Sequence, residues 1–287
     1  MSAKVERYHS KKFKEISSKT LIYILLVIIS IIWLVPFVYL VFQSFAQSYS
    51  PSNFIPAAWT FDNYINLFTD ISYPFGRWYL NTLLIAIITA ILQTVFTLMT
   101  AYAFSRLRFR SRQAYMKFIL VIGMFPSFLG MIVTYFLLQM IGLSASIFGL
   151  IVIYVAGSGT GYYVAKGFFD TIPKSLDEAA MIDGANKNTV FWKVILPLAK
   201  PIVVYTVLMS FTAPWGDYMM ASYIAQGKQE LFNVAVGLQQ MMTKGNDIKY
   251  FPQFCAGGVF VSIGIMALFF WLQKYYVEGV TGGAVKG

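Results

Sequence analysis

The chain has 287 residues, 58% hydrophobic and 12% charged, with a net charge of +10. A soluble domain carries roughly twice that share of charge, so a soluble globular fold is excluded, and cations scattered between apolar runs exclude a nucleic-acid surface. Cys255 and His9 are each alone of their kind, which leaves no intramolecular disulfide, no His-based metal site and no catalytic His pair.

Residues 1–19 form a basic tail in which Lys4, Arg7, Lys11, Lys12, Lys14 and Lys19 surround Val5, Tyr8, Phe13 and Ile16. A disordered tail and a short interfacial helix both fit, and either would meet anionic headgroups. The apolar run Leu21 to Phe42 is too long for a signal-peptide core and predicts a retained first span, 20–42. Further spans are predicted near 78–104, 116–138, 147–169, 201–226 and 253–277. At 1.5 Å per residue each is long enough for a hydrocarbon layer of about 30 Å. The expected fold class is an all-α integral membrane protein with six transmembrane helices in a body of 20–277. A tail of 278–287 follows.

Between the first two spans, Thr60 is placed to cap a short helix with Phe61, Tyr64, Ile65 and Phe68 on one face, lying along the outer membrane surface. In the fourth apolar run, Gly157-Ser158-Gly159-Thr160-Gly161 follows no strand, so it is no phosphate loop. Its glycines suit close helix packing, and Ser158 and Thr160 are candidates to face a transport path.

The loop 170–200 is longer than connectivity requires. Pro173 closes the preceding span, and Ser175-Leu176-Asp177-Glu178 reads as a capping box with Ser175 at the N-cap. Gly184 permits a left-handed turn after this first helix. A second helix then carries Val190, Phe191, Val194, Ile195 and Leu198 on one side, ending at Pro197 and Pro201. A helix-turn-helix with small residues at its turn fits a groove on a partner; a well-capped connecting hairpin looks the same.

In the fifth span, Pro214-Trp215-Gly216-Asp217-Tyr218 interrupts an apolar helix. A carboxylate at membrane depth turns toward protein or water, and a loosened backbone is tolerated where it is buried or lines a cavity. Asp217 is thus a pathway or gate candidate, with Trp215 and Tyr218 as stacking or gate-packing groups, unless Asp217 sits at the outer surface. The following segment, 227–252, offers Gln239, Gln240, Lys244, Asn246 and Asp247 as polar tips suited to a soluble partner or to a plain exposed loop.

Lys and Arg fix an expected orientation. Eighteen lie in the tails and in the intervals that face the N-terminal side, and only Arg77, Lys228, Lys244 and Lys249 lie on the other side. Both termini and the 170–200 hairpin are therefore expected in the cytoplasm. No G-x-x-x-x-G-K-[ST] occurs, so ATP-driven work would need a separate ATPase.

Glu178-Ala179-Ala180-x-x-Asp183-Gly184-Ala185, with Leu196-Pro197 at the end of the hairpin, resembles the EAA signature of ABC importer permeases. Val194 stands where isoleucine is commoner in that family. Phe61-Asp62-Asn63-Tyr64, Asn81-Thr82, Ala101-Tyr102-Ala103-Phe104-Ser105-Arg106, Phe109-Arg110 and the tail from Val277 to Gly287 extend the likeness to nearly the whole chain. They are similar to the smaller permease of maltose/maltodextrin-type importers. The resemblance implies the type I ABC importer permease fold, with a coupling helix at Glu178, Ala179, Ala180, Asp183, Gly184 and Ala185, closed by Leu196 and Pro197.

It further implies a second, larger permease, two copies of a cytoplasmic ATPase that hold ATP and Mg, and an extracytoplasmic sugar-binding protein. This chain would bind no cofactor and catalyse nothing alone. Its place would be a bacterial or archaeal cytoplasmic membrane. The implied task is uptake of maltodextrin or another oligosaccharide by alternating access. An ion-coupled secondary carrier, expected to show paired intramembrane acids or inverted repeats, is the alternative class; an ABC permease for a non-sugar solute is another.

Overall fold

The computed structural model describes residues 2–124, 127–157, 161–243 and 247–284. Ser158, Thr160, Lys244, Asn246 and the last three residues of the expected tail lie outside the described residues. Among the described residues the chain is helical: α1 (Ser2–Ser44), α2 (Asp62–Thr69), α3 (Phe75–Arg106), α4 (Arg112–Gly123), α5 (Ser127–Met140), α6 (Ile147–Ala156) and α7 (Gly161–Thr171). There follow α8 (Ser175–Ile182), α9 (Lys187–Thr189), a π-helical stretch Val190–Ile195, α10 (Leu196–Leu198), α11 (Lys200–Gly216), α12 (Met219–Ala225), α13 (Val234–Thr243) and α14 (Asp247–Ala284).

Three helices are long and apolar enough to cross a membrane, or up to five if each bent pair counts as one span. The three are the Lys19–Ser44 part of α1, α3, and the Lys249–Tyr275 part of α14. α6 and α7 form one bent pair at 42°. The other pair, Lys187–Leu198 with Lys200–Gly216, turns through 86°, so it is a hairpin arm feeding a span rather than one continuous crossing. The expected span 116–138 falls on two shorter helices, α4 and α5, of 12 and 14 residues. The basic tail expected as disordered or as a separate interfacial helix is instead continuous with α1 from Ser2. No Pro or Gly interrupts the chain before Pro36.

α3 is the axis of the bundle. It packs on α11, α7, α6 and α13, and its buried face alternates bulk with small hydroxyls: Trp78, Thr82, Ile85, Thr89, Thr97, Ala101 and Ser105. Small residues let helices approach closely in a membrane, where packing rather than water exclusion drives association. Two apolar clusters result. One end gathers Phe75, Trp78, Ile85, Trp215, Ile224, Phe232 and Met241; the other gathers Leu98, Tyr102, Phe104, Phe169, Val190, Phe191 and Ile195. The second is the hairpin end, and α3 supplies side chains to both.

Residues 45–60 fold back on the end of α1. Asn63 donates to the carbonyls of Ser44 (3.0 Å) and Ala46 (2.8 Å), and the Tyr64 hydroxyl lies 2.8 Å from Ser44 Oγ. Thr60 Oγ1 accepts from the Asp62 amide at 3.1 Å, although Phe61 holds the N-cap position of α2. Leu67 is the buried residue of α2, while Phe61, Ile65 and Phe68 are exposed as an apolar stripe. That division suits a helix lying on a membrane surface.

Candidate functional site

The hairpin is built by two turn devices. Gly184 has φ +88, a left-handed value that costs a residue with Cβ roughly 1–2 kcal/mol. Its amide donates to Met181 O at 3.1 Å and the Ala185 amide to Ala180 O at 2.9 Å, which is the paired bonding of a Schellman stop. Asn186 then caps the returning arm, its side chain accepting from the Thr189 amide at 2.8 Å.

The expected capping box is absent: Lys174 occupies the N-cap of α8, and no side chain caps it. Asp177, a member of that box, is instead drawn inward. Arg106 Nε at the end of α3 lies 2.8 Å from Asp177 Oδ2, with the two side chains 5% and 11% exposed. The guanidinium also donates to Ile172 O at 2.8 Å. Burial pushes the Asp177 carboxyl above its usual range, Arg106 opposing and Glu178 adding to the rise. Beside this pair, Ser105 donates to Asp170 at 2.6 Å and Lys166 pairs with the same carboxylate at 2.5 Å. The hairpin is thereby stitched to α3, where the Tyr102 hydroxyl also donates to Lys187 O at 3.2 Å, and α3 to α7.

The returning arm corrects one expectation. Val190, Phe191 and Ile195 are buried, but Leu198 is 51% exposed. The π-helical stretch, in which the Leu196 amide reaches back to Phe191 O, inserts a residue into the turn and rotates everything after it. Leu196 is half-buried and Pro197 exposed at this bend.

On the outside of the hairpin, Glu178, Ala179, Asp183 and Gly184 are exposed beside Leu176, Met181 and Ile182, the last 86% exposed; Ala180 and Ala185 are half-buried beneath them. Below lies a cavity of about 230 Å³ lined by residues that include Tyr102, Arg106, Asp177, Glu178 and Lys187. Apolar side chains exposed outside the spans and edged with acid have the make-up from which partner surfaces are built.

At the opposite end, Asp217 stands where α11 breaks before α12. It accepts from the Tyr154 hydroxyl of α6 at 2.6 Å and from the Met220 amide at 3.1 Å. Asn233 ties the same break to the start of α13, donating to Pro214 O (3.0 Å) and Asp217 O (2.7 Å). Trp215 is buried against Tyr79, ring centroids 5.1 Å apart, and offers no ring face within this chain to a path. Tyr218 is exposed and lines a cleft of about 170 Å³ with Ser222, Gln239, Gln240 and Thr243.

Segment 227–252, expected as polar tips for a soluble partner or as a plain exposed loop, contains α13, with Val234, Val236, Leu238 and Met241 buried. Asn81 donates to Glu230 O (2.9 Å) and Phe232 O (3.0 Å), and Thr82 Oγ1 accepts from the Val234 amide at 2.8 Å. These contacts give the Asn81-Thr82 pair a physical task that sequence reading missed. The only signal in the sequence was a polar pair at the start of an apolar run.

Residues 93–282 match the family model described as binding-protein-dependent transport system inner membrane component. The chain is 36% identical to the maltodextrin transport system permease protein MalD of Streptococcus pneumoniae, over 97% of this chain and 99% of the relative. It is 35% identical to the galactooligosaccharides transport system permease protein GanQ of Bacillus subtilis, over 92% and 94%. A solved chain from a bacterial ABC transporter involved in import of the acidic polysaccharide alginate superposes with TM-score 0.75 at 23% identity, covering 88% of this chain and 94% of that one.

Proposed function

Because the chain belongs to the family of binding-protein-dependent transport system inner membrane components, we infer that it is a permease subunit of an ABC importer for a sugar. It forms half of a pathway worked by alternating access and leaves ATP hydrolysis to a separate subunit. Curated relatives named for maltodextrin and for galactooligosaccharides match at 36% and 35% identity, which supports an oligosaccharide cargo, with maltodextrin first. A bacterial alginate ABC transporter of similar fold was solved in complex with an alginate pentasaccharide-bound periplasmic protein. That supports a binding protein on the side opposite the hairpin. The charge asymmetry supports the hairpin and both termini facing the cytoplasm.

The single observation that carries the mechanism is the exposed hairpin stitched to α3. A partner ATPase seated on Glu178, Ala179, Ala180, Asp183, Gly184 and Ala185 grips a body whose inner side is fixed to α3 by Arg106–Asp177 and Tyr102–Lys187. Leu196 and Pro197 form the elbow that passes the motion into α11. α3 carries it to Asn81 and Thr82, hence to the segment that holds Asp217 and α13. Asp217 then acts as a gate residue, its bonds to Tyr154 and Asn233 bridging elements that would separate on opening. Tyr218 and its polar cleft face the side from which sugar arrives. ATPase closure biases one of two arrangements that the bundle supports.

Gly184→Val tests this. A Cβ at Gly184 meets nothing within 4 Å, so the substitution acts through backbone strain and through bulk presented to the partner. Expected is a fall in sugar uptake of at least tenfold, with reduced ATPase co-purification and an unchanged amount of chain in the membrane. Normal uptake with full ATPase association removes the coupling role.

A further inference from the structure

The turn between α3 and α4 holds a cavity of about 640 Å³ lined by Arg108, Phe109, Arg110, Arg112, Gln113 and Met116. No acid lines it, and among the described residues none of these three arginines is in an ion pair. Asp170, which feels Arg112 electrostatically, already has its carboxylate engaged by Lys166 and Ser105. Arg108 also borders the hairpin cavity, whereas Phe109, Arg110, Arg112, Gln113 and Met116 line this pocket and not that one.

We propose that the α3–α4 turn is a binding site for the headgroup of an anionic phospholipid. Three arguments select that occupant. The turn joins the end of a 32-residue membrane-length helix to α4, so the arginines sit where hydrocarbon meets water. Guanidinium forks match phosphate oxygens bidentately. Running out of the pocket, α4 buries none of its residues and exposes Tyr115, Phe118, Val121 and Ile122, an apolar strip on which acyl chains lie. A soluble polyanion has no use for that strip.

The test uses the assembled transporter in vesicles of phosphatidylcholine with and without phosphatidylglycerol, with lipid retained after purification read by native mass spectrometry. Wild type retains phosphatidylglycerol in preference to phosphatidylcholine. Arg108→Gln, Arg110→Gln and Arg112→Gln together weaken that retention roughly a hundredfold, each basic residue near a membrane surface contributing about fivefold. The matching triple Lys variant, which keeps the charge and loses the forks, retains an intermediate amount, and Lys228→Gln at the other end leaves retention unchanged. Equal retention by the Gln variant overturns the proposal. So does displacement of phosphatidylglycerol from wild type by inorganic phosphate, which assigns the pocket to a soluble anion. If the Gln variant fails to assemble, the wild-type competition and the Lys variant still decide.

Discussion

Arg106 and Asp177 show how one buried pair joins a span to a docking element. An ion pair this far from water is not cheap to form, and its removal is costlier when only one partner goes, because the other charge is stranded. Asp177→Ala is therefore expected to lower the stability of the purified complex by about 3–5 kcal/mol, whereas Arg106→Met combined with Asp177→Leu recovers most of it. Thermal unfolding of both variants, read beside uptake, checks this; equal losses in the two would show that the pair contributes nothing beyond packing. The pH dependence has a definite sign. Burial holds the Asp177 carboxyl above its unfolded value, so its contribution is complete below the ordinary carboxylate range and is lost as pH rises through the raised value. Asp177→Asn flattens that fall. The sequence presented Asp177 as a helix-start acid because Ser175 and Glu178 flank it at capping distance. Its partner lies far back in the chain, and only the folding of the hairpin beside the end of α3 brings them together. Gly184 was legible for the opposite reason: a left-handed stop depends on the residue itself, not on a distant neighbour.

At the scale of elements, span-length apolar runs and the hairpin between them were readable, because hydrocarbon thickness and helical rise set their length. Register and insertion were not. The π-helical stretch moved Leu198 off the buried side, and no sequence period announces an extra residue in a turn. α13 is not legible as a packed helix because its apolar run is short and is set between the polar stretches 227–230 and 244–249. Its burial depends on Trp78, over which its backbone passes so closely that a Cβ at Gly237 would stand 2.0 Å from the ring. A ring in a packed core has little room to retreat. Gly237→Ala is accordingly expected to lift α13 from α3, at a cost of about 1–3 kcal/mol, and to depress uptake while leaving ATPase association at the wild-type level. The two ends of the molecule are thus separable: damage to α13 acts at the far end, damage to Gly184 at the hairpin. Loss of ATPase binding in Gly237→Ala would mean that the bundle fails as a whole and that α13 has no separate part.

For the whole molecule the decisive feature is how little of it closes on itself. The most apolar window of α1 has none of its residues buried, and α4 buries none either. Lipid satisfies such faces, so their exposure alone asks for nothing. The polar groups argue differently. Tyr218, Gln239 and Gln240 open a cleft at one end, Arg106 and Glu178 border another at the hairpin end, and between them α3 packs on α11 with their Thr and Ser side chains buried rather than lining a passage. Thr82, Thr89, Thr97, Thr206 and Ser210 are all buried. A sugar with many hydroxyls needs a continuous polar wall, and a helix pair whose hydroxyls are consumed by packing does not supply one. On the proposed function, the wall forms between this chain and a second permease. Vesicles containing this chain alone are therefore expected to show no uptake of labelled maltodextrin above protein-free vesicles. Uptake should appear only when the second permease, the ATPase, ATP and a binding protein are all present, and omission of the second permease alone should abolish it. Saturable sugar flux through this chain by itself, driven by an ion gradient, would replace the half-pathway reading with a secondary carrier.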